Sequence, residues 1–234
     1  MALASWDRIA GVSDWELERD LRPAVLIDRS AYRLTAARAR RADQASRARW
    51  LSALGALDVL TIIESDRQGR VPMNGREFAE AWNIGTVRTW FTWQSILVEA
   101  GALEEISGGV QISGMQVQAL ETLQVGERAP LRRASAIDPM RYRLGVQKLT
   151  RLDPDGRRWW MALGAWGLMR FVEADPSTRV VPYSASELAE TYGVDPRTWG
   201  SLMSDLLEPA GFGAPVDGGW RCGSFRARRQ QAKG

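Results

Sequence analysis

"RWLSALGAL" (Arg49–Leu57) and "RWWMALGAW" (Arg158–Trp166) are nearly the same phrase written twice in one chain. An accidental echo would fade within a few residues on either side, and this one extends. Upstream, "VLIDRSAYRL" (Val25–Leu34) aligns with "SAIDPMRYRL" (Ser135–Leu144). Downstream, Glu64, Asp66 and Arg70 align with Glu173, Asp175 and Arg179. One inserted residue then brings "PMNGREFAEAWNI" onto "PYSASELAETYGV", Trp90 onto Trp199, Leu97 onto Leu206 and Gly101 onto Gly211. The repeat distance stays at about 110 residues, which reads as an internal duplication with copies at 21–113 and 131–223. An acidic segment (1–20) precedes the first copy, a linker (114–130) joins the two, and a basic tail (224–234) follows the second.

Each copy is legible twice. "RWLSALGALDVLTIIES" and "RWWMALGAWGLMRFVEA" are apolar at helical spacing and long enough for a buried helix. The long arginine- and alanine-rich stretch before the first, from Asp28 to Trp50, holds no proline or glycine and is expected to be helical too. Short β-prone pieces follow, "RVPM" and "RVVPY". Asn74 and Ser184 then stand three residues before Glu77 and Glu187, the capping-box spacing for a helix start. After the turns "NIG" and "GVD" a longer helix begins, with Asp195 as N-cap and Pro196 at its first position in the second copy. Gly101 and Gly211 close these helices. "LEEI-SGG-VQI" and "GAPV-DGG-WRC" read as hairpins.

Helix, short strand, helix, tight turn, helix, hairpin is the order of the winged helix-turn-helix. "ASELAETYGVDPRTWGSLMSDLLEPAG" in particular resembles that superfamily. The expected fold is therefore mainly α with small β-hairpins: two tandem winged helix-turn-helix domains. The resemblance implies that the last helix of each copy enters a DNA major groove. Trp90/Trp199, Trp93/Leu202, Leu97/Leu206 and Val98/Leu207 keep core spacing and are expected to be buried. That leaves Thr86, Arg88, Thr89 and Thr92 in the first copy, and Arg197, Thr198, Ser201 and Ser204 in the second, as candidates for base or phosphate contact.

Neither of these helices is strongly basic. Glu99, Glu104 and Glu105 flank the first hairpin, and Asp205, Glu208 and Asp217 the second. Affinity for duplex DNA comes largely from neutralising phosphates, so the arginine-rich segments are the expected source of that charge. Arg33, Arg40 and Arg47 recur every seven residues on one helix face; Arg143, Arg221, Arg226, Arg228 and Arg229 complete the set.

Composition narrows the alternatives. The 234 residues are 45% hydrophobic and 25% charged, with a net charge of +3, no histidine and a single cysteine, Cys222. Histidine-dependent nucleophile pairs and histidine–cysteine zinc sites are thereby excluded, as is an internal disulfide. There is no phosphate-binding glycine loop and no apolar run of about 18 residues. The opening stretch lacks the signal-peptide pattern. A non-enzymatic role without metal or small-molecule cofactor is expected, in the cytoplasm with the nucleoid and not in a membrane. The partner is double-stranded DNA, and a homodimer or another protein partner is compatible with the pattern. The layout resembles plasmid and phage replication initiators, which implies an initiator or regulator. The rival reading is a tandem winged helix scaffold of the chromosome-condensing kind, which binds proteins and has no specific DNA target.

Overall fold

The computed structural model describes residues 25–43, 48–66, 68–113, 134–156, 158–223 and 225. The acidic opening segment, the linker, the tail beyond Phe225 and Arg47 lie outside the described residues. The protein is mainly helical with small antiparallel sheets. Its first half runs β1 (Val25–Asp28), α1 (Arg29–Ala42), α2 (Arg49–Val59, continued as a π-helical turn Leu60–Glu64), β2 (Arg70–Val71), α3 (Gly75–Ala81), α4 (Val87–Glu99), β3 (Leu103–Ile106) and β4 (Gly109–Ile112). The second half repeats the order. It runs β5 (Ala134–Ile137), α5 (Pro139–Leu152), α6 (Trp159–Gly167, then π-helical Leu168–Glu173), β6 (Val180–Val181), α7 (Ala185–Tyr192), α8 (Pro196–Ser201, π-helical Leu202–Leu207, last turn Glu208–Ala210), β7 (Gly213–Val216) and β8 (Gly219–Cys222).

Local chemistry sets these boundaries. Both capping boxes form: Asn74 with Glu77 opens α3, and Ser184 with Glu187 opens α7. The Asp195 carboxylate accepts from Thr198 N at 2.9 Å, ahead of Pro196. The single helix expected from Asp28 to Trp50 does not form. It ends at Ala42, because the Asp43 carboxylate turns to accept from Trp50 N at 2.9 Å and so starts α2 instead. Asp153 does the same for α6, accepting from Arg158 N at 2.6 Å and Trp159 N at 2.9 Å.

Each half carries a three-stranded antiparallel sheet, in the orders β2–β4–β3 and β6–β8–β7. A third sheet joins the halves. There β1 pairs with β5, Val25 opposite Ile137, Leu26 opposite Ala136 and Ile27 opposite Ser135. In the repeat alignment Val25 is equivalent to Ser135 and Ile27 to Ile137, so the pairing is reciprocal about Leu26. Reciprocity is the mark of an isologous contact, here between two halves of one chain.

The same relation governs α2 and α6, which cross at the centre. A Cβ on Gly164 would lie against the Leu51 carbonyl oxygen, and one on Gly55 against that of Trp160, both inside the 3.0 Å that real Cβ contacts respect. The glycines of the echoed phrase are therefore what allows the backbones to touch. Around the crossing the halves share one core. Trp160 of the second half packs against Phe78, Trp82 and Trp93 of the first, at ring-centroid distances of 6.3, 6.1 and 5.4 Å. Tyr32 of the first half meets Phe171 of the second at 4.9 Å.

One expected core position is not buried. Val98 is 40% exposed, whereas Leu207 is fully buried. The cause is the residue inserted in the second copy, which α8 absorbs as a π-helical stretch, the usual form of a one-residue insertion in a helix. Past it, Leu97 is equivalent to Leu207, both fully buried, and Val98 is equivalent to Glu208, both exposed.

Cys222 closes β8 with its thiol buried. Burial pushes that thiol up to about 12, and the nearby Arg170, Arg179 and Arg29 only partly oppose the shift. A thiol reagent at pH 8 should leave the native protein unlabelled, with labelling rising in step with denaturant-induced unfolding. Rapid modification of the folded protein would contradict this burial.

Candidate nucleic-acid interface

Eight of the residues expected to contact DNA lie on or at the start of α4 and α8, the helix before the hairpin in each half. Their side chains divide between structural and free roles. Thr86 is the N-cap of α4 and accepts from Thr89 N at 3.2 Å, while its hydroxyl lies 3.0 Å from that of Thr89. Thr92 donates to the Arg88 carbonyl at 3.0 Å. All three threonine hydroxyls are thus engaged within the helix, and Arg88 alone of the four stands exposed with no side-chain partner among the described residues.

In α8 the arrangement is similar but more polar. Thr198 is bonded to the Asp195 cap, and Ser201 donates to the Thr198 carbonyl at 3.3 Å. Ser204 is exposed and donates to Asp205 at 2.7 Å. Arg158 Nη2 reaches Asp205 at 3.1 Å and Ser201 Oγ at 3.4 Å. The Ser204 hydroxyl and the Arg158 guanidinium hold the Asp205 carboxyl of α8 below its ordinary value. Arg197 projects from the first turn and is exposed, its charge among the smaller causes that lower the Asp195 carboxyl.

The outward faces differ most at one equivalent position. Phe91 of α4 is 53% exposed, and its counterpart in α8 is Gly200, where nothing lies within 4 Å of a Cβ position. The α4 face therefore reads Arg88, Phe91, Ser95, Val98 and Glu99; the α8 face reads Arg197, Gly200, Ser204 and Glu208. A face with no large side chain can lie closer to a groove floor than one carrying an exposed phenyl ring.

Three arginines of α1 reach the other half, while Arg41 donates to Ala37 O of its own helix. Arg29 Nε donates to the Phe171 carbonyl at 3.0 Å, and its Nη2 donates to that of Ala174. Arg33 donates to Val172 O at 3.0 Å and Arg40 to Thr191 O at 2.8 Å. Phe171, Val172 and Ala174 are at the end of the α6 π-helical turn, whose carbonyls have no intrahelical partner and carry the negative end of the helix dipole. Arg33 and Arg40 thus bridge the halves, although their side chains remain largely exposed. Arg143 is half-buried on α5. Arg221 is exposed on β8, in register with Val180 and Ala214. Arg47, Arg226, Arg228 and Arg229 lie outside the described residues. The structure brings Arg88 to the exposed face of α4 and Arg197 to that of α8, and it places Arg40 in the cleft at the start of α8 that Gly193, Asp195, Pro196 and Thr198 also line.

Two features were missed in the sequence although a signal was present. Exposure of Phe91 follows from the spacing of Trp90, Trp93 and Leu97, which turns position 91 outward. The capping role of Asp43 follows from its match with Asp153, each a few residues before a repeated tryptophan.

Among the described residues no helix is long and apolar enough to cross a membrane, and no group of three or more Cys, Asp or Glu side chains is placed to hold a metal ion. No family, curated protein or solved structure matches the chain.

Proposed function

We propose that this chain is a sequence-specific double-stranded DNA-binding protein, a regulator or replication initiator of plasmid or phage type, built from two winged helix-turn-helix units that arose by duplication. The observation that carries the reading is the pair of helix–strand–helix–helix–hairpin runs, each with its sheet in the order first strand, last strand, middle strand. In a fold of this kind the helix before the hairpin is the one presented to the major groove. Base reading falls chiefly to α8, whose outward face is small and polar, with Arg197 in its first turn as the candidate guanine ligand. The first half contributes the Thr86 end of α4.

Selection of bound fragments from genomic DNA at near-physiological salt tests the proposal, since purely electrostatic binding is weakened there. A shared motif should emerge. Arg197→Ala should then cost about 1–3 kcal/mol at a single base pair and relax specificity at that position alone. Recovery of fragments without a motif, or of none, would reject sequence-specific binding.

A protein-interaction scaffold is the second reading, and one observation favours it. The α4 face is apolar at Phe91 and Val98 and is bordered by Glu99, Glu104 and Glu105, a poor surface for phosphates.

A further inference from the structure

We propose that α4 is a self-association face, through which two copies of this chain pair with their α4 helices antiparallel. Arg88, Phe91, Ser95, Val98 and Glu99 form one exposed stripe, with neighbours three or four positions apart along the helix. Phe91 is 53% and Val98 40% exposed, and between them stands the small Ser95, which lets a second helix approach closely. Nothing comparable exists in the second half, where the equivalents are Gly200, Ser204 and Glu208. The apolar stripe is therefore not a requirement of the fold, since the same fold is built without it.

The charges choose the occupant. Arg88 sits in the first turn of α4 and Glu99 at its end, and neither has an ionic partner among the described residues. Both stand against the helix dipole, which favours acidic residues at the N-terminus and basic ones at the C-terminus. Their placement does not serve the helix itself. In an antiparallel pair each Arg88 faces the Glu99 of the other copy, with Phe91 and Val98 packed between the two ion pairs. A parallel pair would set like against like. The face is complementary to itself under a two-fold rotation, the condition for a closed dimer. The hairpin beside it is held in place, since Gln94 Nε2 donates to Glu105 at 2.7 Å.

This pairing goes beyond DNA recognition and does not require it, so it is measured on the full chain without nucleic acid. Sedimentation equilibrium from about 1 to about 100 µM brackets the affinity expected of a small interface, and should show a reversible monomer–dimer equilibrium. Phe91→Glu should leave a monomer throughout that range and remain folded, because the ring is 53% exposed and touches the start of α3 only by its edge near Gly75. Arg88→Glu and Glu99→Arg should each weaken the dimer about tenfold. The double variant Arg88→Glu/Glu99→Arg should recover to within about threefold of wild type, because both ion pairs re-form with reversed sign. A wild-type chain that is monomeric at every concentration would overturn the proposal. So would a dimer indifferent to Phe91→Glu, or a double variant no better than the singles.

Discussion

Replacing Gly164 by alanine should destabilise this protein by about 3 kcal/mol or more, although only one methyl group is added. The new Cβ would fall inside the contact distance of the Leu51 carbonyl oxygen and crowd Gly55 N, so all it meets is α2 backbone and no rotamer can relieve it. The only relief is separation of α2 from α6. That movement would loosen the core the halves share and pull Trp160 from among Phe78, Trp82 and Trp93. Gly55→Ala should behave alike, because Gly55 makes the reciprocal contact with the Trp160 carbonyl. For a chain of this size each kcal/mol corresponds to about 2–4 °C, so the midpoint should drop by about 6–12 °C. Gly200→Ala is the matched control. Nothing lies within 4 Å of its Cβ position in α8, and alanine there should add about 0.5–1 kcal/mol. Equal effects at Gly164 and Gly200 in denaturant titrations would refute the close crossing.

The second large effect lies at the acidic residue of the same central helix. Asp58 is fully buried near the crossing, and neither of its carboxyl oxygens, nor the facing Tyr32 and Tyr142 hydroxyls, reaches acceptable hydrogen-bond geometry. Its counterpart is Gly167, whose missing side chain leaves room for the Tyr32 hydroxyl and the Asp58 carboxyl. Burial pushes the Asp58 carboxyl well above the usual range, and the facing Tyr32 hydroxyl only opposes this in part. The folded state therefore holds a proton that the unfolded chain releases near pH 4. Stability from this group is complete below that pH and is lost as the pH rises toward the folded-state value, at up to about 1.4 kcal/mol per pH unit. Asp58→Asn keeps the shape and removes the titration. Its stability relative to wild type should grow steadily when unfolding is compared from pH 5 to pH 8. A difference that stays constant over that range would mean that Asp58 is ionised in the folded protein.

The order of the elements was legible in the sequence because each helix start is a local event. Asn74 with Glu77, Ser184 with Glu187, and Asp195 with Pro196 satisfy backbone groups within three residues of themselves, and those caps form as read. The hairpins at "SGG" and "DGG" are equally local. Phase along a helix is less secure. Val98 departs from the expected core spacing because a single inserted residue, invisible to a periodicity count, is taken up as a π-helical stretch in α8 and not in α4.

The candidate interface was legible only as a set of side chains. That Arg29, Arg33 and Arg40 answer carbonyls of the other half could not be read from a run of arginines, because their partners lie some 140–150 positions away. By itself the sequence determined the order of elements found in both halves, along with its caps, its turns and most of its buried positions, since these depend on neighbours a few residues apart. Tertiary structure alone decided that the units join through β1 and β5, that the echoed glycines form a backbone crossing, and that Asp58 is enclosed between tyrosines. Those outcomes depend on which surfaces meet, and the free energy of that meeting is shared between residues too distant in the chain for any local pattern to record it.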